Sequence, residues 1–120
     1  MNELGQEPTN RDIANTLRAA GEWLDSHEWI RGFLTDIQRD NSFSGQFKSD
    51  ILTGAQAGCA RGAIMIAIGS DWSELGDRCD VAMEEHLGAF ELAFWNNEMA
   101  KDKEEVVKAF YGAADALEVQ

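Results

Sequence analysis

With 120 residues, 44% of them hydrophobic and including four Trp and six Phe, the chain is sized for one buried core; this composition excludes disorder over most of its length. Its 22 acidic residues against 10 basic ones give a net charge of −12, which excludes ordinary phosphate-backbone binding and makes basic protein surfaces the natural electrostatic partners. Residues 1–70 hold nine acids and six bases and residues 71–120 thirteen and four, so the later part carries −9 of the total.

From the N-terminus, Met1 to Pro8 is polar and acidic, lacks the basic start and apolar run of a secretory signal, and reads as the flexible start of a single globular domain over residues 1–120. Thr9 as N-cap with Asp12 at N3 approximates a capping box, and Ile13, Leu17, Ala20 and Leu24 recur at helical spacing, predicting a helix over about 10–25. Across 29–47 two readings stay open. Trp29, Ile30, Phe33, Leu34 and Ile37 fit a short helix, whereas turn chemistry at Asn41 to Gly45 fits a hairpin or irregular excursion. Asp50 to Ile68 reads as a helix in which Gly54, Gly58 and Gly62 recur every four residues beside Ala55, Cys59, Ala63 and Ala67. Two such rows of small side chains let another helix cross very closely.

Asp71 to Trp95 reads at 100° per residue as one amphipathic helix. Asp77, Asp80, Glu84 and Glu91 share a wet face, and Cys79, Met83, His86, Phe90 and Phe94 share a core face. Asn96 and Asn97 end it, one of them as a left-handed C-cap with Trp95 closing the core edge; the functional alternative is an exposed Trp beside two amides, a good protein-contact point. Asp102 with Glu105 begins a last helix over 102–118, with Val106, Phe110, Ala113, Ala114 and Leu117 on its buried side. The expected fold is all-α, a compact bundle of four to five helices with a short hairpin or irregular excursion at about 29–47.

Three stretches carry a family resemblance: Cys59-Ala60-Arg61-Gly62-Ala63-Ile64, Trp95-Asn96-Asn97, and Lys103-Glu104-Glu105-Val106 followed by Ala113 and Ala114. With Leu17, Ala19, Ala20 and Trp29, these stretches resemble an uncharacterised family of small actinobacterial and actinobacteriophage proteins. The resemblance implies a phage or actinobacterial origin and no known activity. Members carry Asn followed by Asp where this chain has Asn96 followed by Asn97, so an acid acting there is not implied.

Catalytic and metal chemistry find little support. His27, Cys59, Cys79 and His86 have zinc stoichiometry without any short-spaced pair, and Cys79, Met83 and His86 stacked on one helix face read as core filler. Cys59 reads as a buried, inert thiol, because Arg61 two residues on lies on another side of a helix. Glu84 with Glu85 and Glu104 with Glu105 point about 100° apart and read as solvated. No nucleotide-binding or nucleophile-elbow motif occurs, so neither cofactor nor metal is expected. Two cysteines outside any C-x-x-C pair fit a reduced, cytoplasmic setting, and the longest apolar run, Ala63 to Ile68, is far short of a membrane span.

These readings converge on a small acidic cytoplasmic protein-interaction module without assignable catalysis, its contacts expected at Asp77, Asp80, Glu84, Glu91, Trp95, Asn96 and Asn97. A protein partner with a basic surface is expected, with no direct nucleic-acid binding and no membrane. The alternatives are an acidic nucleic-acid mimic that blocks a DNA-binding protein, against which Arg78 interrupts the acid row, and a homo-oligomeric structural protein.

Overall fold

Two 16-residue helices, α1 (Asn10–Asp25) and α6 (Lys103–Glu118), pack along each other and form the most extensive contact between elements. The computed structural model describes residues 7–40, 52, 54–69 and 73–119. Helix α1 starts where its sequence says it should. Thr9 Oγ1 accepts from Asp12 N–H at 3.1 Å, and Asp12 Oδ2 accepts from Thr9 N–H at 3.0 Å, so two backbone donors at the helix start are satisfied reciprocally. That backbone hydrogen bond from Thr9 holds the Asp12 carboxyl below its ordinary pKa. Helix α6 opens on Asp102, whose Oδ1 accepts from Glu105 N–H at 2.9 Å; the Glu105 carboxylate reaches Lys101 N–H instead of the cap residue.

The facing stripes are Ile13, Leu17, Ala20 and Leu24 on α1 and Val106, Phe110, Ala113 and Ala114 on α6, all buried. Each fully buried Leu or Phe contributes about 2–3 kcal/mol of transfer free energy, and small residues set how closely the backbones approach. At Gly21 a Cβ would stand 3.2 Å from Phe110 Cβ, so the missing side chain is what lets α1 and α6 close together. Polar contacts fix the ends of the pair: Lys103 Nζ donates to the Asp25 and His27 carbonyls at 3.0 Å each, and Arg18 meets Asp115 and Glu118 at 2.7 and 2.9 Å.

Helices α3 (Ala60–Ile68) and α4 (Glu74–Leu87) complete the bundle on α1, and α4 also packs on α6. Between α1 and α3 the chain makes β1 (Glu28–Trp29), bends through residues 31–34, forms the short α2 (Asp36–Asp40), and returns as β2 (Ala57–Gly58). The two strands pair in parallel, Glu28 with Ala57 and Trp29 with Gly58, so the described part of the excursion is irregular and not a hairpin. The turn chemistry expected at Asn41 to Gly45 lies outside the described residues. Asp36 Oδ1 accepts from Gln56 and Ala57 N–H, tying α2 to β2. Among the described residues the fold is all-α apart from this two-strand contact and an isolated antiparallel bridge between Thr35 and Gly58.

Several expectations need correction. The helix read over 50–68 begins only at Ala60, with Cys59 as its N-cap; Gly54 sits in the left-handed region (φ 76°) and Gly58 lies in β2. Glycine so weakens helix propensity that a four-residue period of it could not carry the helix backward through that turn. The close approach is real, but the element that comes close is backbone: a Cβ on Gly62 would lie 1.8 Å from the Leu34 carbonyl oxygen, and Cys59 N–H donates to that oxygen at 3.2 Å.

The helix read over 71–95 ends at Leu87. Gly88 takes the left-handed C-cap conformation (φ 66°), with Ala89 N–H donating to the Glu84 carbonyl at 3.0 Å. The chain resumes as α5 (Leu92–Phe94) and then a π turn, Trp95–Met99, in which Ala100 N–H reaches back to the Trp95 carbonyl at 2.8 Å. Asn96 and Asn97 therefore sit inside a π turn and do not cap a helix. The break also undoes the two faces. Cys79 and Met83 are buried as expected, but His86 and Phe94 are exposed and Phe90 is wholly so.

Candidate functional site

The polar centre of the protein is the buried Asn96, which joins three segments distant in sequence. Its Oδ1 accepts from Trp29 Nε1–H at 2.7 Å and from Ala60 N–H at 3.0 Å; its Nδ2 donates to the Ile30 carbonyl at 3.3 Å and to Asn97 Oδ1 at 3.0 Å. A side-chain amide carries an oxygen with two lone pairs and two N–H donors on one uncharged group, so Asn can serve all four partners at 0% exposure without a buried charge. The π turn is what brings both amides to the same side. Asn97 Oδ1 also accepts from Gly32 N–H at 2.9 Å, and Arg31, stacked on the Trp29 ring at 4.4 Å, donates to the Ala100 carbonyl at 2.6 Å. The irregular segment 29–32 is thereby fastened to residues 96–100, and π turns recur at functional positions.

Beside this hub lies a cavity of about 280 Å³. Phe33, Leu34 and Ala93 supply apolar wall, and Gln38, Cys59, Arg61 and Asn97 supply the polar side chains. Cys59 is the N-cap of α3, its Sγ accepting from Gly62 N–H at 3.4 Å, and burial pushes its thiol pKa up. Burial likewise pushes Cys79 up to about 12. Both sulfurs are held as thiols, which makes neither a nucleophile at neutral pH. Among the described residues no three His, Cys, Asp or Glu side chains gather in a metal-binding group, and no described helix is long and apolar enough to cross a membrane.

The acidic row is only partly what its spacing suggests. Asp77 and Glu91 are exposed, but Asp80 is drawn inward to 21% side-chain exposure, 3.5 Å from Arg61 Nε on α3. Burial raises the Asp80 pKa to about 6; Arg61 opposes the shift, while Glu84, Asp77 and Glu91 add to it. The four carboxylates are thus electrostatic neighbours, although Gly88 removes Glu91 from the helix that carries the others. Glu84 has an internal task, its Oε2 accepting from Leu92 N–H at 2.9 Å, which satisfies the start of α5 across the break. Trp95 and Asn96 are buried, so the exposed pair of Trp and amides considered from the sequence does not exist.

The exposed contact chemistry lies elsewhere, on the connection after α4 and the turn beyond it. Phe90 is 100% exposed, Phe94 55% and Met99 58%. Between Cys79 and Ala100 stand Asp80, Glu84, Glu85, Glu91 and Glu98, and no Lys or Arg. The sequence argument missed this aromatic tip because it carried helical phase through Gly88; the left-handed preference of glycine after a last helical turn was the signal that could have shown it.

The chain belongs to DUF6197, a family of unknown function. The DUF6197 match spans residues 8–116, and so includes the asparagine hub, the cavity beside it and the exposed tip. No curated protein and no solved structure matches the chain.

Proposed function

We propose that the protein is a small acidic interaction module, encoded by an actinobacterium or its phage and working in the cytoplasm, that docks a basic protein surface through the tip carrying Phe90 and Phe94. The observation that carries this reading is the wholly exposed Phe90 within a stretch from 79 to 100 that has five acids and no Lys or Arg. Aromatic side chains anchor interfaces when they enter a recess on the partner, and surrounding carboxylates select for a rim of Lys and Arg. Mimicry of a nucleic acid is the weaker reading, because Asp80 and Glu84 are engaged inside the protein and leave a sparse row where regularly spaced phosphates would be copied.

The test is affinity capture from the encoding or host bacterium, with the wild type beside Phe90→Ser/Phe94→Ser, followed by light scattering on the purified complex. The reading predicts a partner held at low salt, released at about 0.5 M salt where screening is nearly complete, and not held by the double variant. Equal capture by the double variant refutes it, as does a complex made only of copies of this chain.

A further inference from the structure

We infer that the cavity beside the asparagine hub binds a small uncharged carbonyl compound, a ketone or ester with a short apolar body. The site stands apart from the docking tip, and its chemistry follows from which polar groups of the lining are still unspent. Asn97 Oδ1 accepts from Gly32 N–H at 2.9 Å and from Asn96 Nδ2 at 3.0 Å, which fills both of its lone pairs. Gln38 Oε1 accepts from Leu34 N–H at 2.6 Å. A backbone N–H can only donate, so the Gly32 and Leu34 amides fix which end of each side chain is oxygen and turn its NH2 the other way. Neither NH2 has a partner among the described residues. Cys59 adds a thiol that burial keeps protonated, at most a weak donor. Arg61 also lines the space, but its guanidinium is spent on Asp80, at 3.5 Å, and on a further interaction besides.

What the lining has left is a pair of amide donors without spare charge, and that set discriminates among ligand classes. An anion would give up its hydration with no unspent cation to receive it, inside a protein of net charge −12. A cation would bring donors to donors, because the Asn97 oxygen is already full. A ketone or ester oxygen accepts without donating, carries no charge, and has two lone pairs for the two NH2 groups. Phe33, Leu34 and Ala93 ask for an apolar body behind that oxygen. The volume sets the size: about 280 Å³ is room for roughly nine waters at ~30 Å³ each, the scale of a ligand with about ten non-hydrogen atoms.

The experiment titrates the ¹⁵N-labelled full chain with three aromatic probes of matched size: acetophenone, which is neutral and only accepts, benzoate, an anion, and 1-phenylethylammonium, a cation. The side-chain NH2 resonances of Gln38 and Asn97 and the Gly32 amide report on the cavity. Acetophenone is expected to shift all three with millimolar half-saturation, and each charged probe to bind about tenfold more weakly. Gln38→Glu still accepts from Leu34 N–H but sets an oxygen where the NH2 stood, so it should weaken acetophenone about fivefold and strengthen 1-phenylethylammonium. Ala93→Leu, which fills the cavity from its apolar wall, should weaken acetophenone severalfold. Benzoate or 1-phenylethylammonium binding the wild type as tightly as acetophenone overturns the inference. So does acetophenone held at wild-type strength by either variant with a native spectrum, an acetophenone response confined to the Phe90 and Phe94 amides, or no shift at about 20 mM, well above the dissociation constant expected of so small a ligand.

Discussion

Replacing Asn96 by Ala deletes one small side chain and leaves four partners on three segments without their bonds. Oδ1 serves Trp29 Nε1–H and Ala60 N–H, and Nδ2 serves the Ile30 carbonyl and Asn97 Oδ1. Each buried polar group left unpaired costs about 1–3 kcal/mol; the Ala60 N–H is fully enclosed, whereas Trp29 and Ile30 are half-buried and regain part of the loss from water. Adding about 1 kcal/mol for the space vacated, the expected destabilisation is roughly 3–5 kcal/mol, a large fraction of the ~5–15 kcal/mol by which domains of this size are stable. Urea unfolding followed by tryptophan fluorescence measures it. With a slope of about 1–3 kcal/mol per molar, the midpoint should fall by roughly 2 M at unchanged slope. Asn96→Asp keeps the acceptors but sets an oxygen against the Ile30 carbonyl and Asn97 Oδ1, so it should also destabilise, and less so where the new carboxyl is protonated. A loss below about 1 kcal/mol for Asn96→Ala would refute the reasoning, because it would mean that water substitutes for the amide and that the hub does not hold the 29–32 segment.

Gly62→Ala should cost roughly 3 kcal/mol or more, since its Cβ would fall 1.8 Å from the Leu34 carbonyl oxygen and backbone must move; thermal unfolding within a few degrees of the wild type would contradict this. Asp80 is raised from 3.8 to about 6, so the folded chain holds a proton that the unfolded chain releases; the stability this group contributes is complete below about pH 4 and lost as pH rises through 6. Asp80→Asn should therefore exceed the wild type by about 3 kcal/mol at pH 8 and match it near pH 4, read from urea midpoints across that range; a pH-independent difference would count against it. Phe90→Ser/Phe94→Ser should unfold within about 1 kcal/mol of the wild type, because Phe90 packs on nothing and Phe94 is half out; a larger loss would place these rings in the core.

Features decided within a few residues were legible in the sequence. The caps at Thr9 with Asp12 and at Asp102 with Glu105 need only local geometry, and the apolar stripes they precede are the buried faces of α1 and α6. Periodicity failed where a single residue resets helical phase. Gly88 turns left-handed after α4, and the wheel drawn through it put Phe90 in the core and Glu91 in line with Asp77. The spacing of Gly58 and Gly62 announced a close approach without naming what approaches, because the Leu34 carbonyl lies 28 residues before Gly62. The asparagine hub was least legible, the partners of Asn96 other than Asn97 standing 36 to 67 positions away. Its one local hint is two uncharged amides directly after Trp95 in a stretch otherwise rich in acids. Of the contact residues expected from sequence, Asp77 and Glu91 reach the surface, whereas Asp80 and Glu84 have internal partners and Trp95 and Asn96 are enclosed.

The bonds that run from Trp29, Arg31 and Gly32 to residues 96–100 leave the short irregular segment no independent way to loosen. Solvent deuterium can reach the Gly32 and Ala60 amides only when the asparagine pair lets go, so the two should exchange with one common rate and one common denaturant dependence, despite belonging to stretches of chain that never touch in sequence.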